Sequence, residues 1–185
     1  MPSLNKDEVE VILSKYSEHN FSEFVESGTF KGTTIFAVEP LFKKLHTIEL
    51  STVLYNAVKK KYKGEKINFY NGESHIVFDS LLPTLNNPTV FFLDGHWSCA
   101  DTACGFKQVP LLEELVKIKE LYKGPGIIII DDYRLFGGKD PIVDWSEITK
   151  DKVLDILNDR IKEYYYIKSN LSDKDRMIIN FKNPI

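Results

Sequence analysis

The chain has 185 residues, of which 43% are hydrophobic and 28% charged, a balance typical of one globular domain and unlike that of a disordered chain. Its net charge of −3 argues against a nucleic-acid partner, because binding to phosphates requires an excess of basic residues. Two cysteines are too few for a disulfide framework, and neither an apolar leader nor an apolar run of about 18 residues is visible, so we expect a cytoplasmic protein with no membrane partner.

Short apolar runs alternate with longer amphipathic segments, a pattern typical of a parallel β-sheet with helices on both faces. We predict one domain, residues 1–185, in which the helix within residues 1–20 packs on the core. In chain order the spacing predicts helix 6–18, strand 24–26, helix 33–44, strand 45–50, helix 52–62, strand 67–70, helix 74–82, strand 89–93, helix 110–122, strand 126–130, helix 145–161, and a closing hairpin of strands 164–168 and 177–181.

Acidic residues follow each of the five strands that are expected to be parallel. In an open α/β sheet, ligands bind beyond the carboxyl ends of the strands, so these acids are candidates for a common site. They are Glu26, Glu49, Glu73, Asp94, and the pair Asp131 and Asp132.

The loop after the first strand contains Gly28 and Gly32, which let the backbone approach a ligand closely. It lacks the G-x-G-x-x-G pattern, so a pyrophosphate cradle is poorly supported. Glu49 ends the next strand, about 20 residues beyond this loop, where an acid can bind a ribose. Its carboxylate offers two acceptor oxygens to the two hydroxyls of the sugar.

Residues 25–32 resemble the first motif of class I S-adenosylmethionine-dependent methyltransferases, and residues 46–51 resemble the second. The segment 72–74 is similar to the Gly-Asp-Ser segment that lies at the adenine in that family, with glutamate where aspartate is commoner. Segments 92–96 and 130–133 resemble the metal-assisted O-methyltransferases of the macrocin and cephalosporin tailoring type, many of which act on sugars. The resemblance covers about residues 21–136.

The resemblance implies a Rossmann-like open, mostly parallel seven-stranded sheet in the order 3-2-1-4-5-7-6, with helices on both faces. It implies S-adenosylmethionine as the cofactor, with Glu26 beside the methionine amino group, Glu49 on the ribose, and Glu73 and Ser74 at the adenine; the two loop glycines would admit the methionine chain. The implied cofactor-binding set is Glu26, Gly28, Thr29, Gly32, Glu49, Ser51, Gly72, Glu73, Ser74 and Asp94.

Methyl transfer to an alcohol requires a base, a metal ion, or both, to deal with the hydroxyl proton. Asp94, Asp131 and Asp132 end two strands that should be adjacent, and three carboxylates can hold magnesium, with calcium or manganese nearly as suitable. Asp94 is a candidate base as well as a ligand. His96 is the rival base, because the pKa of histidine suits proton transfer near neutrality. The resemblance favours a sugar or glycan hydroxyl as acceptor, and a catechol-like phenol is the alternative.

Two long segments, 95–109 and 133–144, follow strands that end in acids, and we expect them to shape the acceptor pocket with Trp97, Tyr133 and Phe136 as walls. Arg134 would neutralise the acid pair or bind an acidic acceptor. The spacing of Cys99 and Cys104 does not fit a zinc site, and no second cysteine pair exists. A chain of this length has few residues to spare for a lid over the site, so we expect that a homodimer could complete the site.

Two other enzyme classes are weighed against this interpretation. A Rossmann oxidoreductase or epimerase that binds NAD or a nucleotide sugar would share the first strands and the ribose acid, but the G-x-G-x-x-G and Tyr-x-x-x-Lys patterns are missing. Adenine methylation of nucleic acids is disfavoured, because the sequence after the fourth strand reads Asp-Gly-His-Trp rather than Asn/Asp-Pro-Pro-aromatic.

Overall fold

A seven-stranded sheet organises the described part of the chain, residues 4–98, 102–139 and 142–183 of a computed structural model. The strands lie in the order β3-β2-β1-β4-β5-β7-β6. Neighbours from β3 to β5 pair in parallel, whereas β7 is antiparallel to both β5 and β6, which confirms the predicted order and direction. The strands are β1 (Glu23–Ser27), β2 (Lys44–Glu49), β3 (Ile67–Asn71), β4 (Thr89–Leu93), β5 (Gly126–Ile130), β6 (Ile161–Ile167) and β7 (Arg176–Phe181).

Helices cover both faces of the sheet and bury two hydrophobic clusters against it. Side chains from α4, α5 and α6 fill the cluster on one face, and side chains from α1 and α2 fill the cluster on the other. No helix among the described residues combines the length and the apolar character that crossing a membrane requires. The helices are α1 (Lys6–Ser14), α2 (Thr33–Val38), α3 (Thr52–Lys61), α4 (Ser74–Leu81), α5 (Leu111–Leu121) and α6 (Lys150–Leu157).

Three predicted helices are several residues longer than the observed ones, and the first of these, predicted over 6–18, ends at Ser14. The helix predicted over 33–44 ends at Val38 and continues as a 3₁₀ turn, because Pro40 has no N–H to donate to the α-helical ladder. The helix predicted over 145–161 begins only after Thr149, whose hydroxyl accepts from Lys152 N at 3.3 Å and caps the helix. Trp145, which precedes the cap, is buried in the core instead.

The N-terminal helix α1 is anchored to the sheet by apolar packing and by one buried ion pair. Asn5 and Glu8 form a capping box at its start. Glu8 Oε1 also accepts from Arg176 Nη1 at 2.7 Å, and the Arg176 side chain is fully buried. Val9 and Ile12 pack into the core on that side of the sheet.

A second buried arginine, Arg160, lies at the opposite end of the β6–β7 pair. It is 1% exposed, and it ends a short 3₁₀ turn that leads into β6. Its guanidinium donates to backbone oxygens at the end of α5 and after β7, namely those of Ile118, Lys119, Tyr122, Gly124 and Lys182. Ile118 O also accepts from Tyr122 N at 3.2 Å, whereas carbonyls beyond the end of a helix or strand lack a partner in that element, and the arginine supplies donors to them.

Candidate active site

A cleft opens at the carboxyl ends of β1, β2, β3 and β4, the edge at which ligands bind to open α/β sheets. It contains about 710 Å³ of empty space that opens to solvent. Its walls come from four strand ends and from the long segment after β4, and include Gly28, Phe30, Glu49, Gly72, Glu73, Ser74, Asp94, His96, Trp97 and Lys107.

The two loop glycines have different surroundings. Gly28 has a φ of +83°, and a Cβ atom at this position would lie 2.3 Å from the backbone oxygen of Asp94. Only glycine therefore allows the loop after β1 to touch the end of β4, which brings both segments into the cleft wall. Gly32 lies outside that wall, because it starts α2 and faces the side chains of Phe36 and Val58. The predicted contact between Gly32 and the methionine chain is thus replaced by a packing role.

Glu49 lines the cleft and fixes the loop opposite it. Its Oε2 accepts from Phe30 N at 2.7 Å, and its Oε1 accepts from Ser51 N at 2.8 Å. Burial raises the pKa of Glu49, while these backbone donors act to lower it. Each carboxylate oxygen retains a second lone pair for a ligand hydroxyl. Ser51 itself caps α3 through Leu54 N, so its hydroxyl serves the helix.

Glu26 lies beneath the cleft rather than on its wall. Its carboxyl is fully buried and accepts from the Thr47 hydroxyl at 2.5 Å, and the Thr29 hydroxyl lies 2.5 Å from that of Thr47. Burial raises the pKa of Glu26 well above its ordinary value, an effect that the Thr47 hydroxyl opposes and that Asp94 and Glu49 reinforce. The predicted cofactor residues Glu26 and Thr29 therefore support the cleft floor from below.

The segment after β3 forms the far end of the cleft. Gly72, Glu73 and Ser74, the residues predicted to contact the adenine, all line it. The loop after β4 closes over this end, because Phe106 N donates to Glu73 Oε1 at 3.4 Å. His75 lies beside the same carboxylate, with its Nδ1 atom 3.7 Å from Glu73 Oε2.

His96 joins the acids at the ends of β4 and β5. Its Nδ1 lies 3.3 Å from Asp94 Oδ1, and its Nε2 lies 3.1 Å from Asp132 Oδ2. Burial acts to lower the pKa of His96, but the carboxylates of Asp94, Asp132 and Asp131 outweigh it and the net direction is upward. Trp145 holds the ring from the side, with the two ring centres 5.1 Å apart. The arrangement stabilises the protonated imidazole.

The predicted metal set requires a correction. Ligand atoms of Asp94, His96 and Asp132 lie within 4.8 Å of one another, whereas Asp131 does not join them. The Asp131 carboxylate turns to Arg176, which donates from Nε to Oδ1 at 3.0 Å. His96 therefore takes the place of Asp131. Asp94 Oδ1 is buried and lies 3.3 Å from His96 Nδ1 without a well-directed hydrogen bond among the described residues, which leaves lone-pair capacity for a cation at this point.

Arg134 neutralises acids, as one of its two predicted roles requires. It forms close ion pairs with Asp132 and Asp175, and the latter belongs to a second acidic group with Asp131 and Asp132. Burial of Asp131 raises its pKa to about 7, with Asp94 adding to this rise and Arg176 opposing it.

The two long segments differ in what they contribute. The segment after β4 supplies much of the cleft wall, including Trp97. The described residues of segment 133–144 lie outside that wall, and Tyr133 and Phe136 pack against each other with ring centres 4.9 Å apart. Cys99 falls outside the described residues, and Cys104 is a free, exposed thiol.

Three residues near the site were missed in the sequence. Arg176 and Trp145 reach the acids through tertiary contacts that no local pattern announces. Glu114 could have been found, because it falls on the apolar stripe of α5 and is 1% exposed.

Solved structures that share this fold include proteins bound to S-adenosylmethionine or its product. The O-methyltransferase TomG from Streptomyces achromogenes, in complex with S-adenosylmethionine, has a TM-score of 0.62 and 14% identity, over 94% of this chain and 77% of TomG. A Streptococcus mutans protein in complex with S-adenosylhomocysteine has a TM-score of 0.59 and 13% identity, over 100% of both chains. The N-methyltransferase NodS from Bradyrhizobium japonicum has a TM-score of 0.56 and 12% identity, over 96% of this chain and 94% of NodS.

The chain has the Rossmann-like fold of methyltransferases. No protein-family model and no curated protein matches its sequence. Because one of these neighbours is an O-methyltransferase and another an N-methyltransferase, the fold serves both kinds of transfer. The chemistry of this chain has to be argued from its own site.

Proposed function

We propose that this protein is an S-adenosylmethionine-dependent methyltransferase that acts on a hydroxyl group. The observation that carries the proposal is that Gly28, Glu49, Glu73 and Asp94, from four different strand ends, line one cleft. The acidic wall suits a cofactor that carries a cationic sulfonium and no phosphate. An enzyme for NAD or a nucleotide sugar would instead need donors for a pyrophosphate.

The cofactor would lie along the cleft with its ribose on Glu49, whose two oxygens match the two ribose hydroxyls. Its adenine would lie at Glu73 and Ser74, under the loop that Phe106 N ties to Glu73. The methionine end would then lie above Gly28 and point toward Asp94 and His96. This direction brings the reactive methyl group to the titratable cluster.

In the reaction, the acceptor oxygen attacks the methyl carbon while the bond from that carbon to sulfur breaks, leaving S-adenosylhomocysteine. The acceptor hydroxyl loses its proton, and when no cation is bound we assign that proton to the neutral form of His96, whose neighbouring carboxylates favour the proton's uptake. The carboxylates of Asp94 and Asp132, which face the two ring nitrogens, stabilise the imidazolium that forms. The protein otherwise contributes position and electrostatics, since the cofactor supplies the leaving group.

As an alternative to this base, a divalent cation would be held by Asp94, His96 and Asp132, and His96 would then act as a ligand and not as the base. When bound, the cation would polarise the acceptor oxygen and ease the loss of its proton. A ligand set of two carboxylates and one imidazole favours manganese over calcium. The sugar or glycan acceptor rests on the sequence resemblance and on Trp97, whose ring in the cleft wall suits the carbon face of a sugar.

The test begins with calorimetric binding of S-adenosylhomocysteine and of NAD to the wild-type protein and to Glu49→Gln. We expect S-adenosylhomocysteine to bind and NAD not to bind, with affinity about tenfold lower in the variant because one ribose acceptor is lost. Glu65→Gln, at an exposed position, is the matched control. Binding of NAD alone would overturn the proposal.

Transfer is then followed from labelled S-adenosylmethionine to a panel of sugars, glycosides and catechols, with and without manganese and chelator. Product on the sugars alone supports the glycan acceptor, and product on the catechols alone contradicts it. Turnover that survives chelator unchanged would contradict the role of the cation.

A further inference from the structure

Glu114 is a buried carboxyl beneath the cleft floor that has no role in the reaction described above. It is 1% exposed and shares the inner face of α5 with Leu111, Leu115 and Ile118. An apolar side chain at this position would avoid the free-energy cost of burying a carboxyl. The presence of the carboxyl therefore indicates a role that compensates for this cost. Its place in the first turns of α5 favours the ionised form, because the amino end of a helix carries partial positive charge.

The carboxyl of Glu114 reaches the ends of β1 and β4 from the α5 face of the sheet. A Cβ atom at Gly95 would lie 3.2 Å from Glu114 Oε1 and 3.1 Å from Ser27 Oγ. Gly95 lines the cleft, and together with Asp94 and His96 it also lines a smaller cavity that Glu114 borders. One glycine backbone thus lies between Glu114 and the cleft, near the place proposed for the methionine end.

This carboxyl is also incompletely satisfied. Glu114 Oε1 and Ser27 Oγ are both buried, and neither makes a well-directed hydrogen bond with the described residues, although the Ser27 and Ser74 hydroxyls lie near enough to interact with the carboxyl. Burial raises the pKa of Glu114 to about 7, the neighbouring Ser74 and Ser27 hydroxyls lower it, and the carboxylates of Glu113 and Asp94 add smaller increases.

Three other acids around the cleft already have partners, while Asp94 Oδ1 is left for the proposed cation. The two oxygens of Glu49 accept backbone N–H groups, Asp131 pairs with Arg176, and Asp132 pairs with Arg134. Glu114 lies below the cleft, with the Gly95 backbone between them, and its Oε1 lacks a well-directed hydrogen bond. It therefore has the properties expected of a counter-charge for a cationic ligand.

We propose that Glu114 is a positioning residue that supplies negative charge beneath the sulfonium of S-adenosylmethionine and favours this cation over its neutral product. The inference rests on the proposed function and adds to it a cause for discrimination between cofactor and product. The sulfonium carries a full positive charge that the thioether of S-adenosylhomocysteine lacks. In a poorly solvated site, an attraction of this kind survives the screening that weakens it in water.

The test compares the dissociation constants of S-adenosylmethionine and S-adenosylhomocysteine, measured by calorimetry at pH 8.5, in wild-type protein and in Glu114→Gln. Glutamine keeps the shape of the side chain and a hydrogen-bonding oxygen but removes the charge. We expect the ratio of the two constants, cofactor over product, to rise about tenfold in the variant. Glu120→Gln, exposed on the same helix, should leave the ratio unchanged.

Equal weakening of both ligands, or an unchanged ratio, would overturn the inference, because Glu114 would then only hold neighbouring groups in place. Failure of the wild-type protein to bind either ligand would overturn the methyltransferase proposal itself, and this inference with it. If Glu114→Gln does not fold, Glu114→Asp replaces it. Aspartate withdraws the charge by one methylene group, and we expect a smaller rise in the same ratio, whereas an unchanged ratio overturns the inference.

Discussion

Two buried arginines hold opposite ends of the β6–β7 pair, and they do so with different partners. Arg160 donates to five backbone carbonyls, which do not titrate. Arg176 pairs with the carboxylates of Asp131 and Glu8, next to the acids and the histidine of the cleft. Arginine therefore satisfies backbone carbonyls at one end of the strand pair and balances the charge of carboxylates at the other. The carbonyl end thus contributes stability, whereas the carboxylate end sets the electrostatics of a site.

The largest expected effect is at the carboxylate end and concerns turnover. His96→Asn removes the proposed base, and we expect methyl transfer to fall about a thousandfold, because general base catalysis contributes on that order. Affinity for S-adenosylhomocysteine and the midpoint of thermal unfolding should stay close to those of wild type. His19→Asn, far from the cleft, is the control. Turnover within a few-fold of wild type would remove His96 from the mechanism.

At the carbonyl end the expected effect is on stability alone. Arg160→Met leaves buried carbonyl oxygens without donors, and we expect a loss of about 3 kcal/mol in the free energy of unfolding. Urea unfolding measures this loss, and calorimetry on the folded fraction should give an unchanged affinity for S-adenosylhomocysteine. A large drop in affinity at full folding would break the distinction between the two ends.

The ionisation of Glu114 makes the free energy of unfolding depend on pH. The pKa of Glu114 is about 7 in the folded protein, against an ordinary value of 4.5. The folded state holds the proton to higher pH than the unfolded state, so this group destabilises the fold as pH rises from 4.5 through 7. Glu114→Gln should thus be more stable than wild type by on the order of 2 kcal/mol at pH 8.5, and by little at pH 4.5.

Urea unfolding of both proteins at the two pH values checks this expectation. A difference in unfolding free energy that is the same at both pH values would show that the substitution acts through packing rather than through ionisation. Arg160→Met, measured alongside, should show no dependence of its loss on this pH range, because its partners are carbonyls.

The smallest expected effect concerns the link between α1 and the carboxylate end. Glu8→Gln keeps the side-chain oxygen but removes the negative charge that faces buried Arg176. We expect a loss of about 1 kcal/mol in the free energy of unfolding. Glu10→Gln, at an exposed position of the same helix, should cost less. Turnover should hold, and a turnover loss beyond tenfold would mean that α1 controls the site through Arg176.

Much of the fold is readable in the sequence where local pattern and tertiary context agree. Strand β4 and strand β5 match their predicted bounds, because unbroken apolar runs leave one solution for a buried strand. Helix α2 was predicted too long, since apolar spacing continues past Pro40 although the hydrogen-bond ladder cannot.

The site was predictable to the extent that it follows from strand ends. Glu49, Glu73 and Asp94 meet at one cleft because parallel strands place their carboxyl ends at one edge. The turn of Asp131 away from them was not predictable, because its partner Arg176 lies 45 residues further along the chain, on an antiparallel strand. Side-chain direction at a strand end depends on which charge lies nearest, and that is a property of the folded chain.

The contact between Gly28 and the Asp94 backbone has a consequence for engineering. Since any side chain at position 28 would push the first and fourth strands apart, this position cannot be varied to admit bulkier or smaller cofactor analogues. Selection for altered cofactor use would have to act through Glu49 and Glu73, which line the cleft. Libraries that randomise Gly28 would return mostly unfolded chains, whereas libraries at Glu73 would sample binding with less disturbance, because Glu49 also holds the loop after β1 through Phe30 N.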